Sequence, residues 1–242
     1  MRTIVVYKWA RAAASAVVRQ GGQVDWGGAR LAAGEDDPAA LAVAQALATQ
    51  SGDVAGLTIG DGETAWALAR GADAAHAVPA LGPLTDNAAT AKALASAVRQ
   101  IAASQAVDVV VIGDATADPG VAAALAAELG WPALLGVTSA APAGDRVTAA
   151  RRVGNAIETV SLPTPAVLAV AAVGEEARAP GMMELIKARK KPVAQLTVEA
   201  PAEGVSQRAT RLPAAAGARL FEGDADTAAQ ALVAALRGDG LL

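Results

Sequence analysis

The chain of 242 residues contains no cysteine and one histidine, His76. These counts exclude a disulfide framework, a cysteine-based metal site and a thiol nucleophile, and they make any Ser/His/Asp triad depend on His76. The 20 basic and 24 acidic residues give a net charge of −4, which disfavours a nucleic-acid binder held by phosphate contacts. We therefore predict no metal site, no nucleic-acid partner and a structural role for His76.

Apolar residues make up 53% of the chain and aromatic residues only 2%. The two longest stretches without charge, residues 129–144 and 159–174, have 16 residues each, whereas a membrane span needs about 20. Residues 1–8 also lack the long apolar region of a secretory signal, so we expect a cytoplasmic protein without membrane insertion. Much of the apolar share is alanine, which buries little area, and partner surfaces are expected to supply the rest.

The first half of the chain alternates between β-branched runs and alanine-rich amphipathic runs. Strands are predicted at residues 3–8, 54–60, 75–78 and 107–113, and helices at 38–50, 63–70, 86–104 and 119–129, with a glycine-rich loop at 21–34. The run 107–113 is continuous and β-branched, as burial on both faces of a parallel sheet requires. This alternation predicts a doubly wound α/β fold with a mainly parallel sheet.

The second half of the chain has shorter apolar runs that are interrupted by proline. Residues 134–139, 146–153, 157–162 and 166–172 are predicted as antiparallel or mixed strands. From residue 193 the composition is polar until Gly223, and an amphipathic helix is predicted at 226–237. A structureless run of this length is uncommon inside a domain, so it predicts an arm that lies across another surface. A disordered tail is the alternative.

Two loops at the carboxyl ends of predicted strands, residues 60–63 and 114–120, suggest a nucleotide site, because open α/β sheets bind ligands beyond those ends. Asp114 and Asp118 would repel an anion unless they turn away from it. Asp118 also suits an N-cap followed by Pro119. Neither a P-loop nor a dinucleotide-binding glycine motif is present.

A basic cluster at residues 187–191 follows two methionines, Met182 and Met183, in a segment with proline and glycine. Methionine side chains adapt to varied apolar surfaces. An exposed apolar tip flanked by cations predicts a docking loop for an acidic partner. The alternative is a charge run that only faces solvent.

Residues 151–192 resemble the signature region of the β subunit of electron transfer flavoproteins. The matching motifs are E-T after a glycine-rich turn, L-P-x-P-A-V, and K-A-R-K-K-P at the end of the segment. Further matches are A-L-A-x-G-A-D at 67–73, V-D-V-V-x-x-G at 107–113 and L-G-W-P at 129–132. The resemblance therefore extends over most of the chain.

The resemblance implies an adenine nucleotide α-hydrolase-like fold in residues 1–192, with a recognition loop at 174–192. It implies that residues 193–242 form an arm and helix that pack on an electron transfer flavoprotein α subunit. The α subunit would hold most of the FAD and pass electrons from a flavin-dependent dehydrogenase to a quinone reductase or similar acceptor. The chain would be an electron carrier subunit without bond chemistry of its own.

The resemblance also assigns residues to sites. The AMP site of the family falls on Val6, Asp36, Asp37, Pro38, Ala39, Ile59, Ala117, Asp118, Pro119, Gly120, Val121, Ala122 and Ala123. The partner-binding residues are Met182, Met183, Lys187, Arg189, Lys190 and Lys191, with Met182 at the apolar anchor. Glu158 aligns with a glutamate that faces an arginine of the α subunit near the flavin.

The chain departs from the family pattern at the AMP site. Asp36, Asp37, Pro38 and Ala39 replace a motif with asparagine, proline and an aromatic residue, and 118–122 replace the phosphate turn T-G-Q-V-G. The start of the chain departs as well, at residues 8–12. These changes predict weakened or altered AMP binding with retained partner docking. A universal-stress-type nucleotide-binding protein and a non-redox scaffolding subunit are the alternative hypotheses.

Overall fold

The computed structural model describes residues 1–48, 52–60, 63–79, 81, 86–114, 120–173, 176–206, 208–214 and 217–242. The strands are β1 (Arg2–Val6), β2 (Trp9–Arg11), β3 (Val17–Val18), β4 (Val24–Asp25), β5 (Leu31–Ala33), β6 (Asp53–Ile59), β7 (Ala74–Val78), β8 (Val109–Gly113), β9 (Ala133–Ala143), β10 (Arg146–Val153), β11 (Ala156–Pro163), β12 (Ala166–Val170) and β13 (Ala194–Gln195). The helices are α1 (Asp37–Ala48), α2 (Ala65–Ala69), α3 (Asn87–Ser104), α4 (Val121–Leu129), α5 (Met182–Ala188) and α6 (Ala225–Gly238).

Nine of these strands form one sheet in the order β11-β10-β9-β12-β8-β1-β6-β7-β13. The β9–β10 and β10–β11 pairs are antiparallel, and the other neighbours run parallel. The predicted α/β class with a mainly parallel sheet is confirmed. The proline-interrupted runs form the antiparallel extension, except for β12, which lies in the parallel core between β8 and β9.

Helices cover both faces of the parallel core. On one face α3 and α4 pack against Ile4 and Val6 of β1, and on the other α1 and α2 pack against Val5 and Tyr7. Successive side chains of a strand point to opposite faces, so both sets of positions in β1 are buried. This burial on two faces explains the continuous apolar run.

The order in which strands are added to the sheet changes side between β1 and β8. β6 and β7 are added on one side of β1, after which β8 returns to the other side and β12 follows beyond it. The carboxyl ends of β1 and β8 therefore diverge toward helices on different faces. In open α/β sheets this switch point is where ligands bind.

The structure differs from the sequence-based prediction at several segments. Residues 9–33 form small antiparallel pairs, because β4 and β5 of the glycine-rich loop pair with β3 and β2, which precede the loop. The predicted recognition loop contains a helix, α5, whose first turn begins at Met182. Both elements are short, and short elements carry too few residues for a periodic pattern. Helix α4 begins at Val121 after Gly120, later than predicted, while Asp118 and Pro119 lie outside the described residues.

The C-terminal segment begins as part of the sheet. Strand β13 pairs in parallel with β7, and Val198 is buried against the α3 side of the core. Further on, the N–H groups of Gly204 and Val205 donate to the carboxylate of Asp86, the N-cap of α3, at 2.6 and 3.1 Å. A Cβ on Gly22 would lie 2.3 Å from the Leu212 nitrogen, so the arm also crosses the β3–β4 hairpin.

Helix α6 follows without burying any of its residues. Leu232 and Val233 are partly exposed large apolar side chains on this helix. Among the described residues, none of the helices has both the length and the apolar character to cross a bilayer.

The packing of β6 on α2 depends on the missing side chain of Gly56. A Cβ there would lie 2.6 Å from Ala67 Cβ and 3.2 Å from Tyr7 Cε1. We expect Gly56→Ala to lower the free energy of unfolding by about 1–3 kcal/mol, because overpacking displaces its neighbours. Urea denaturation measures this loss. Gly28→Ala, where a Cβ meets nothing within 4 Å, is the control, and equal losses in both variants would contradict the contact.

Candidate functional site

The residues predicted to bind a nucleotide lie around the carboxyl ends of β1, β6 and β8. We call the ends of β1 and β8, together with residues 7–8, 34–37 and 114, the carboxyl edge. Val6 is the last residue of β1 and Ile59 the last of β6. Val6 of β1 and Val121 and Ala122 of α4 belong to the core between the sheet and the helices α3 and α4, so their side chains face the interior. Ala117, Asp118 and Pro119 lie outside the described residues.

Asp37 connects two segments of the carboxyl edge by hydrogen bonds. One of its carboxyl oxygens, Oδ2, accepts hydrogen bonds from the N–H of Gly34 at 2.7 Å and of Lys8 at 3.2 Å. These donors come from the loop before α1 and from the chain that leaves β1. Asp37 is 5% exposed, and burial raises its pKa to about 7. The carboxyl group therefore forms buried hydrogen bonds between two chain segments and does not act as a solvent-exposed helix cap.

Asp36 lies directly against the end of β8. A Cβ on Gly113 would be 2.9 Å from Asp36 Cβ, so glycine is needed where α1 begins. Burial raises the pKa of Asp36, and the carboxylates of Asp114 and Glu35 add to the rise. The backbone N–H of Ala172 lowers the pKa of Asp36 and so opposes this rise.

Asp114 is the third carboxyl group at this edge. Its N–H donates to Val170 O at 2.8 Å, and its Oδ2 accepts from the N–H of Gly136 at 2.9 Å. The sequence had left open whether Asp114 turns away from a ligand. The structure shows it bound to the backbone of β9.

The described part of the carboxyl edge does not fit the phosphate of AMP. A bound phosphate needs cationic groups or backbone N–H donors. Here the side chains of Asp36, Asp37 and Asp114 bring carboxyl groups to the same place, and these groups already accept the nearby N–H donors. Sequence reasoning found the three aspartates but had no signal for the partner glycines Gly34 and Gly136.

A second candidate surface is formed by α5, which packs on α2. Leu185 and Ala188 face inward and belong to a small core with residues of α2. Met182, Met183 and Ile186 face outward and are 73%, 64% and 42% exposed. We call these three side chains the methionine surface. The sequence pointed to the two methionines, whereas Ile186 joins them only because the segment is helical.

Polar contacts hold α5 in place. The Glu184 carboxylate accepts from the N–H of Gly181 at 2.7 Å and pairs with Arg178. Arg189 forms an ion pair with Glu63 at 2.8 Å, which joins α5 to the segment before α2. Lys187, Lys190 and Lys191 are exposed, as the prediction of a partner-binding cluster requires.

A cavity of about 290 Å³ lies between α2 and α5. Four cationic side chains and one carboxylate line it: Arg70, Arg178, Lys187, Lys191 and Glu184. The Arg70 guanidinium stacks over Trp66, 4.5 Å from the ring centroid, which fixes its position. The cavity therefore places a cationic surface beside the methionine surface.

Glu158 lies on the outer strand of the sheet, far along the antiparallel extension. It is opposite Arg151 of β10, and their side chains form an ion pair at 2.5 Å. The Glu158 side chain is 45% exposed, and the neighbouring Val153 and Ile157 are exposed apolar residues. This end of the sheet has the mixed apolar and charged character of a protein interface.

Residues 35–201 match the electron transfer flavoprotein domain, over more than half of the 242-residue chain. The chain belongs to the electron transfer flavoprotein family. A search of curated proteins gave no match.

The residues matched to the electron transfer flavoprotein domain include α5 and the part of the carboxyl edge that follows Gly34, while β1 and Lys8 lie before the match. Asp36 and Asp37 lie at the start of the match, and α5 with its basic run lies near the end. Helix α6 and strands β2–β5 lie outside it. Within the described ranges, no group of His, Asp and Glu side chains converges as metal ligands. His76 lies within β7, where burial lowers its pKa.

The stability of the protein should depend on pH through Asp37. The folded state keeps this proton up to about pH 7, whereas the usual pKa is 3.8, so stability falls as pH rises between these values. Asp37→Asn removes the titration while an amide oxygen can still accept both N–H groups. We expect the variant to lose this part of the pH dependence, up to about 4 kcal/mol in the free energy of unfolding.

Denaturation at several pH values measures this effect. Lys8, Asp36 and Tyr7 are the titratable groups coupled to Asp37, and they remain in the variant. Asp73→Asn is the control, because Asp73 also accepts a backbone N–H, that of Val54 at 2.9 Å, in a different place. A pH profile of Asp37→Asn identical to that of the unmodified protein would contradict the assignment.

Proposed function

We propose that the chain is the β subunit of a heterodimeric electron transfer flavoprotein. It accepts electrons from a flavin-dependent dehydrogenase and passes them to a quinone reductase or similar acceptor. Membership of the electron transfer flavoprotein family carries this proposal. The chain docks partners and supports a flavin held mainly by the α subunit, and it catalyses no bond chemistry itself.

Two surfaces suit the α subunit. The antiparallel extension exposes Val153 and Ile157, and α6 exposes Leu232 and Val233 on a helix that buries none of its residues. Exposed apolar side chains grouped in this way are typical of a protein interface. The α subunit would supply the burial that an alanine-rich chain lacks.

The FAD of such a pair would supply the redox chemistry when bound. The exposed ion pair of Arg151 and Glu158 fits a flavin bound by another chain, because it lies on the outside of the sheet, within reach of a docked subunit. In this proposal Glu158 orients an arginine of the α subunit near the flavin. This chain therefore contributes charge and position.

The methionine surface suits the dehydrogenase. Its three apolar side chains form a tip, and the cationic cavity beside it adds charge complementarity to an acidic partner. Apolar anchors give most of the affinity of such interfaces, while charges at the rim speed association. Met182, with 73% exposure, is the residue best placed to act as the anchor.

Met182→Glu should slow reduction of the flavin by the dehydrogenase. A carboxylate at a desolvated anchor costs at least about 2 kcal/mol, which is about a 30-fold rise in the KM for the dehydrogenase. The bound FAD should be unchanged, because the residue faces away from the domain. Stopped-flow reduction of the purified heterodimer measures the effect.

Two variants control this experiment. Met182→Leu keeps volume and apolarity, so it should retain most of the activity. Val18→Glu places a carboxylate on another exposed apolar residue, 55% exposed, and should change nothing. Unchanged kinetics of Met182→Glu would remove the methionine surface from the mechanism.

Removal of α6, in a chain that ends at Glu222, should separate the two subunits. The full chain is expected to co-purify with a second subunit and to release FAD on denaturation. Measured without the partner, the shortened and full-length chains should have the same thermal midpoint, because α6 buries none of its residues, yet the shortened chain should lose both the partner and the FAD. Size-exclusion chromatography with an absorbance spectrum measures this. A stable full-length pair without flavin would instead favour the scaffolding hypothesis.

A further inference from the structure

The carboxyl edge lies at the switch point of the sheet, between the ends of β1 and β8. Open α/β sheets bind their ligands at this place. Helix α1, with 12 residues, starts against the end of β8, and the first turn of such a helix offers free N–H groups to a phosphate. The geometry alone would therefore predict an anion site.

Among the described residues, several backbone N–H groups around this edge donate to the chain's own carboxyl groups. The N–H groups of Lys8 and Gly34 donate to Asp37, and that of Gly136 donates to Asp114. The N–H of Ala172, after β12, lies near enough to Asp36 to lower the pKa of its carboxyl group. The donors to Asp37 and Asp114 come from the segments after β1, before α1 and within β9.

We infer that the carboxyl groups of Asp36, Asp37 and Asp114 take the place of a nucleotide phosphate at the switch point, so that the edge is held together without AMP. Asp37 and Asp114 each join separate segments of the chain, and Asp36 lies between them against the end of β8. The inference concerns the fold of this chain, and neither it nor its test depends on the proposed electron transfer.

A phosphate would have to displace these groups, and packing prevents it. Asp36 and Asp37 are 8% and 5% exposed, and the start of α1 is pressed against Gly113, where a Cβ would lie 2.9 Å from Asp36 Cβ. Those of the three carboxyl groups that are ionised would also repel a phosphate, and this repulsion is strong in a buried site. Space and charge therefore both oppose an anion here.

The first test uses AMP and the chain together with whichever subunit it co-purifies with. We expect no AMP in the extract of the denatured protein and no saturable binding in equilibrium dialysis up to about 1 mM AMP. AMP should also leave the thermal midpoint unchanged. Stoichiometric AMP in the extract, or saturable binding in dialysis, would overturn the inference.

The second test removes the hydrogen-bond acceptor of Asp37 by mutation. Asp37→Ala frees the N–H groups of Gly34 and Lys8, whereas Asp37→Asn keeps an oxygen to accept them. Both variants are uncharged at this position, so they differ in the acceptor and not in titration. We expect the alanine variant to melt about 4–10 °C below the asparagine variant. Inorganic phosphate should raise the midpoint of the alanine variant only.

Controls separate this effect from a general loss of stability. Asp73→Ala frees the N–H of Val54 outside the carboxyl edge, and phosphate should not restore its midpoint. If Asp37→Ala does not fold, Asp114→Ala, which frees the N–H of Gly136, replaces it in the same measurement. Equal midpoints for the alanine and asparagine variants at residue 37, or a midpoint of the unmodified protein that rises with phosphate, would overturn the inference.

Discussion

The buried carboxyl group of Asp37 binds the chain segments that meet at the switch point between β1 and β8. The order β6-β1-β8 sends successive helices to opposite faces, so the chain segments after β1 and before α1 must meet beyond the ends of the strands. Their backbone N–H groups cannot pair within the sheet, and a buried donor without an acceptor is costly. Asp37 Oδ2 accepts two of them at 2.7 and 3.2 Å. The position of α1, and the close contact with Gly113, depend on this one group.

The long elements could be predicted because their patterns repeat. Strand β8 is an uninterrupted β-branched run, and α3 has 18 residues with an aspartate cap, so each contains enough positions to show its period. Helix α5 has only seven residues, and it forms because Glu184 binds Gly181 and because Ala188 is buried with residues of α2. The contact of Ala188 with α2 is tertiary, so no local pattern contains it, whereas the contact of Glu184 with Gly181 is a local helix cap.

The candidate site was predictable in its residues but not in its contacts. The aspartates at the start of α1 and the exposed methionines can be found from residue type alone. Which donors the aspartates bind depends on glycines in separate loops, such as Gly136, and the pairing of Arg189 with Glu63 joins residues 126 apart in sequence. Sequence separation of this size is set by topology, so the closed carboxyl edge appears only in the folded chain.

The alanine content connects the closed edge with the open surfaces. The buried face of α3 consists largely of alanine, which lets the helix approach the sheet closely but buries little area per residue. A domain built in this way cannot cover all of its large apolar side chains, and Ile157, Met182 and Leu232 remain at its surface. Hydrogen bonds to buried carboxyl groups then stabilise the interior of the carboxyl edge. The exposed apolar side chains can still gain free energy when a partner chain buries them. The same alanine-rich composition therefore favours a carboxyl edge stabilised by the chain's own hydrogen bonds and apolar surfaces that are buried when a partner chain binds.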